Sequence, residues 1–143
     1  MEIRYRHSAV GVFTRRSPDS VKTKTGVPVY SMEQAKNMTD KIIIGSDHAG
    51  FAAKEQVKAY LQSKGIAVED AGCHSAESVH YPIYGKAVAG AVSRGEYPRG
   101  ILICGTGIGM SIVANKFPGV RAALCHNAFT APACREHNDA NIL

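Results

Sequence analysis

The chain has no run of apolar residues approaching the roughly 20 that a membrane span requires, so no transmembrane segment is expected. Its four cysteines, Cys73, Cys104, Cys125 and Cys134, form no C-x-x-C pair and share no ligand-like spacing with the six histidines. No metal site is therefore expected, and Cys125 and Cys134 suit buried thiols in a reducing, cytoplasmic compartment. An excess of one charge is also missing from most of the chain. The formal net charge is +5, but residues 1–40 hold seven Lys or Arg against four acids, and residues 41–143 hold ten against eight. A mildly basic domain argues against a nucleic-acid partner and suits a small anionic substrate. No G-x-G-x-x-G follows the first apolar run, which argues against a dinucleotide cofactor.

What is present is enough for one globular domain with a proper core: 143 residues, 45% of them hydrophobic. Residues 1–40 show no steady period, contain Pro18, Gly26 and Pro28, and scatter six arginines and lysines from Arg4 to Lys24 among hydroxyl residues. They are expected to be a poorly ordered N-terminal extension. Glu2, Asp19 and the absent apolar stripe weigh against a transit peptide, and Met38, just ahead of the first strand, leaves a misassigned start as a further reading.

From Lys41 the pattern turns regular. Ile42 to Ile44 form a strand, and residues 50–64 a helix with Ala53, Val57, Tyr60 and Leu61 on one face. A second strand spans 66–71 and a polar loop 72–80, before a helix that opens at Pro82 and turns Ile83, Ala87, Gly90 and Ala91 to one side. Strands are further expected at 101–104, 120–124 and 140–143, with helices at 109–116 and 127–135, the latter capped by Asn127. Such alternation predicts a three-layer αβα fold, a Rossmann-like parallel sheet with helices on both faces.

Ligands of such sheets bind at the carboxyl ends of the strands. The first strand ends in Ser46-Asp47-His48, and the third in Cys104-Gly105-Thr106-Gly107-Ile108-Gly109. The last helix ends in Arg135-Glu136-His137-Asn138-Asp139, and all three polar clusters are expected at one rim. Glycines at a strand-to-helix turn let backbone amides crowd round an anion, and a helix N-terminus stabilises a thiolate. A sulfur base beside an oxyanion cradle is what proton abstraction next to a carbonyl requires. Each residue also has a plainer use: Asp47 as a helix cap, His137 and Asn138 as helix terminators, Tyr81 as packing, Cys104 as an inert core thiol. His74, His80 and His126 have no spacing that argues for a role.

Taken in series, Gly45-Ser46-Asp47-His48-Ala49-Gly50-Phe51, Tyr81-Pro82, the stretch from Gly100 to Lys116, and His137-Asn138-Asp139-Ala140-Asn141 resemble the type B ribose-5-phosphate isomerases. That family also includes allose-6-phosphate and galactose-6-phosphate isomerases. The resemblance covers residues 41–143 and implies interconversion of ribose 5-phosphate and ribulose 5-phosphate without cofactor or metal. It places the base, which moves a proton between C1 and C2 through an enediolate, on Cys104, with Thr106 beside it. The backbone from Gly105 through Gly107 and Ile108 to Gly109 would hold the enediolate oxygen. His137 would open the sugar ring, Asp47 would stand near the ring oxygen and hydroxyls, and His48, Tyr81 and Asn138 would contact substrate. One branch of the family uses a glutamate shortly after the cysteine position, where this chain has Gly109 and Met110. The resemblance further implies a homodimer or higher homo-oligomer. It also implies a carboxyl-terminal strand, turn and helix carrying phosphate-binding arginines, none of which follows Leu143, so the sheet is expected to be truncated at its C-terminal end. A hexose-6-phosphate isomerase and an inactive phosphosugar-binding relative are the alternatives.

Overall fold

The computed structural model describes residues 41–143, and the extension expected over residues 1–40 lies outside them. The β-branched run Ile42 to Ile44 forms the middle strand, β1, Lys41–Ser46. It pairs in parallel with β2, Ala67–Asp70, on one side and β3, Arg99–Ile103, on the other. The connections are helical: α1, Phe51–Ser63, and α2, Tyr81–Ser93. Because one crossover moves to one side of β1 and the next to the other, right-handedness puts α1 and α2 on opposite faces of the sheet. Side-chain alternation agrees, with Ile43 packed in the cluster built on Val88 and Ala89 of α2, while Ile44 is fully buried on the other face.

Gly100 in β3 lets α2 come close, since a Cβ there would lie 2.8 Å from a methyl of Val88. The core on this face continues through Leu102, Met110 and Ile142. Truncating Met110, 1% exposed, to alanine would cost about 2–5 kcal/mol. Two shorter helices complete the described chain: α3, Ile108–Ala114, and α4, Thr130–Asn138. Asn127, expected as the cap, stands two residues before the N-cap Phe129 of α4, and its Oδ1 accepts the amides of Phe129 and Thr130 at 3.0 and 2.8 Å in the turn that leads in.

Three expectations need correction. The segments 120–124 and 140–143 are not full strands; Ile142 forms isolated parallel bridges with Gly100 and with Ala122, and the Leu102 amide also donates to the Leu143 carbonyl at 2.7 Å. Side-chain amides add to the backbone bonds there. Asn115 takes both backbone groups of Ala122, at 2.9 and 2.8 Å, and Asn141 Oδ1 takes the amide of Arg121 at 2.8 Å. On α1 the fully buried residue is Lys54, whereas Tyr60 is 61% exposed. On α2 the inward stripe runs through Gly85, Val88, Ala89 and Val92, and Ile83, off that stripe, is exposed.

Candidate active site

The register sets the site. Ser46 lies opposite Ile103, so Asp47 and Cys104 leave the sheet side by side at its carboxyl edge. The Asp47 amide donates to the Ile103 carbonyl at 3.2 Å, which ties the two strand ends together. Asp47 is 8% exposed; its Oδ1 accepts the Gly50 amide at 2.9 Å, while among the described residues Oδ2 meets no donor. One carboxylate oxygen thus closes the turn into α1. A Cβ at Gly50 would stand 2.5 Å from the Ile103 carbonyl oxygen, so the whole Asp47–Gly50 turn is pressed onto the end of β3. His48 Nδ1 accepts the Val79 amide at 3.2 Å. In the neutral ring the proton then sits on Nε2, which can donate outward.

Cys104, just past β3, is half-buried, with one side against the core. Its sulfur accepts the Gly107 amide at 3.0 Å. Gly107, the N-cap of α3, has φ +75°, the left-handed region that glycine tolerates. Tyr81, the first residue of α2, lays its ring on Gly109, where a Cβ would lie 2.8 Å from a ring carbon. Gly105 faces Ala49 of the opposing turn, and Thr106 and Ile108 are exposed at the mouth, with Thr106 Oγ1 accepting the Ile108 amide at 3.3 Å. Asp47, His48, Tyr81, Cys104 and the turn 105–109 therefore share one rim. A thiol, a half-turn of amides, a carboxylate and an imidazole donor so arranged can lift a proton from carbon and hold the resulting oxyanion.

His137 and Asn138 are not at that rim. Ile142 sits beside Gly100 and runs parallel to β3, so residues 137–139, which precede it, fall beyond the amino end of the sheet. At about 3.3 Å per strand residue this leaves roughly 15 to 20 Å between His137 and Cys104 of the same chain. The expectation of three clusters at one rim fails for a topological reason. The carboxyl edge belongs to residues that follow strands, whereas His137 follows a helix running back. Both His137 and Asn138 are exposed, and the adjoining Asp139 pairs with Arg121 at 2.8 Å. His74, His80 and His126 are exposed as well.

Sequence reasoning missed Lys54. Its ammonium, 0% exposed, bonds Asp70 at 2.6 Å and Glu55 at 2.5 Å, and Lys58 reaches the same Asp70 oxygen at 2.6 Å. Partial burial pushes the Asp70 carboxyl up, but Lys54, Lys58 and the Gly72 amide outweigh it and hold it down at about 2. The available signal was an acid at the end of β2 facing a lysine one turn into α1. Of the other cysteines, Cys73 and Cys134 are buried; burial and the neighbouring Cys134 thiol push the half-buried Cys125 thiol up. No group of three or more metal-ligating side chains occurs among the described residues, nor is any described helix long and apolar enough to cross a membrane.

The profile of the Ribose/Galactose Isomerase family matches residues 42–143. The chain is 50% identical over 103 residues to ribose-5-phosphate isomerase B of Escherichia coli, covering 72% of this chain and 69% of that protein. It is 51% identical over 105 residues to the 4-deoxy-4-sulfo-D-erythrose isomerase of a Clostridium species, covering 72% of this chain and 65% of that protein. Among solved structures, ribose-5-phosphate isomerase B of Clostridium thermocellum superposes with a TM-score of 0.71 at 56% identity, covering 72% of this chain and 70% of the other. A parallel α/β sheet with a thiol and glycine turn at its carboxyl edge thus falls in the class of sugar isomerases. The chain belongs to the ribose/galactose isomerase family.

Proposed function

We propose that this protein is an aldose–ketose isomerase that interconverts ribose 5-phosphate and ribulose 5-phosphate, with Cys104 as the base. The observation that carries the proposal is the Cys104 sulfur held 3.0 Å from the Gly107 amide, on a strand end adjacent to the one that carries Asp47. As thiolate, Cys104 takes the proton from C2 of the open-chain aldose; the electron pair moves into the C1–C2 bond and the carbonyl oxygen becomes the enediolate oxygen. Main-chain amides between Gly105 and Gly109 stabilise that charge, with Thr106 beside the base. The proton returns to C1 while the C2 hydroxyl proton passes to the oxygen on C1, leaving the ketose. Asp47 holds the ring oxygen and hydroxyls, His48 donates through Nε2, and Tyr81 walls the pocket.

Ring opening is assigned to His137, and Asn138 to substrate contact. Given their place at the far end of the sheet, both reach the Cys104 rim from a second copy of the chain. Exposed Ile108, Ile112 and Leu124 beside the glycine turn offer an apolar face for that copy. The test is turnover of ribose 5-phosphate by wild-type protein and by mixed assemblies of Cys104→Ala with His137→Asn chains. Each variant alone is inactive on the cyclic sugar. In a mixed dimer one of the two sites is intact, so equimolar mixing restores about one quarter of wild-type activity. No recovery on mixing would rule out the shared site.

A second substrate class is favoured by the 51% identity to an enzyme named for a sulfo-sugar. Ranking kcat/KM for ribose, allose and galactose phosphates against 4-deoxy-4-sulfo-erythrose separates the readings, and ribose 5-phosphate is expected to lead.

A further inference from the structure

Lys54 is enclosed completely, yet the reaction above makes no use of it. Burying an ammonium is costly unless its donors are all met. Here they are directed at Asp70, at Glu55 and toward the face of the Phe51 ring, 5.6 Å from its centroid. Neutralising Asp70 does not require it, because the half-buried Lys58 already pairs with the same oxygen. What Lys54 adds is direction. Approaching from inside, it holds Asp70 Oδ2 inward, which leaves Oδ1 to accept the Gly72 amide at 3.0 Å. Gly72 in turn accepts the Ser46 amide at 2.6 Å, and Ser46 accepts the Cys73 amide at 2.9 Å. Both backbone groups of the residue directly before Asp47 are therefore clamped by the loop that Asp70 anchors.

We propose that Lys54 is a positioning residue, acting through Asp70 and the Gly72–Ser46 backbone bonds to fix Asp47 at the sugar-binding rim. The proposal rests on the isomerase assignment for the role of Asp47. With Lys54 removed, Lys58 alone draws Asp70 outward toward water, the bond to Gly72 is lost, and the turn carrying Asp47 and His48 loosens.

The experiment combines amide hydrogen exchange with a double-mutant cycle on the full chain. Lys54→Met keeps the length of the side chain and removes its donors. It is expected to speed exchange at Ser46 and Gly72 by about tenfold or more, and to lower kcat/KM for ribose 5-phosphate roughly 100-fold. In an Asp47→Asn background the same substitution should change kcat/KM by less than about twofold, since a residue acting through Asp47 has nothing left to position. A purely structural lysine would give additive losses instead, and additivity overturns the proposal. So does unchanged exchange at Ser46 and Gly72. If Lys54→Met does not fold, Asp70→Asn poses the same cycle from the other end of the pair, with the same deciding outcomes. Should the wild type turn over no sugar phosphate, it is the isomerase assignment that fails, and the exchange data alone decide whether the clamp depends on Lys54.

Discussion

The two ends of the sheet are built differently. At the carboxyl edge, Asp47 and Cys104 are held by backbone bonds and by close contact of chain on chain: Asp47 to Ile103, Ser46 to Gly72, Gly50 against the Ile103 carbonyl. At the amino edge, α4 has little packing against the other helices and strands, and beside the main-chain bonds of Ala140 and Asn141 its end is fastened by surface side chains. Arg121 pairs with Asp139, and the Arg135 guanidinium bonds the Ala140 carbonyl. Main-chain bonds fix geometry with no rotamer freedom to lose, whereas exposed ion pairs contribute about 0–1 kcal/mol each. The carboxyl edge therefore has the rigidity that a proton transfer needs, and the amino edge presents His137 outward.

Substitutions can break or sharpen this contrast. The largest effect is expected at the thiol: Cys104→Ala should lower kcat by about 10²–10⁴-fold with little change in thermal stability, measured by turnover and melting. Near-native turnover would remove the base from the mechanism. Next comes Gly50→Val, which should destabilise the fold by about 3 kcal/mol, because the added side chain meets backbone that cannot yield. Denaturant titration giving less than about 1 kcal/mol would show the edge to be softer than described. A smaller effect follows from Asp70. Its carboxyl is held at about 2 in the fold, below the roughly 3.9 of an unfolded aspartate, so the stability it contributes is present above pH 4 and is lost as pH falls toward 2. Asp70→Asn should flatten the acid limb of stability against pH in that window; an unchanged limb would refute the linkage. The smallest effect belongs to the amino edge, where Arg121→Ala should cost under about 1 kcal/mol in denaturant titration. A loss of several kcal/mol would erase the distinction between the two ends.

Much of the carboxyl edge was legible from sequence. Three successive isoleucines, followed at once by Asp47 and His48, and an apolar run broken by alternating glycines mark strand ends whose polar residues must face one rim. The remainder depended on long-range geometry that local pattern does not carry. A lysine at position 54 looks like solvent-facing helix until Asp70, far along the chain, is placed beside it. Tyr60 and Ile83 are apolar enough to suggest core, but their helical phase points them outward. The last two segments looked like full strands because hydrophobic periodicity marks apolar residues such as Val120 and Ile142 but does not say how many main-chain bonds they make; here they reach only isolated bridges. His137 was placed at the wrong end by treating a helix terminus as a strand terminus, an error the direction of a returning helix corrects.

The separation of the sulfur from the imidazole bears on how such a catalyst behaves when scarce. If ring opening and proton transfer draw on two molecules, the initial rate on cyclic sugar climbs faster than linearly with enzyme at high dilution, then becomes proportional once assembly saturates. Supplying the linear aldehyde form would reduce that curvature, because that substrate bypasses ring opening and leaves only the Asn138 contact to the neighbour.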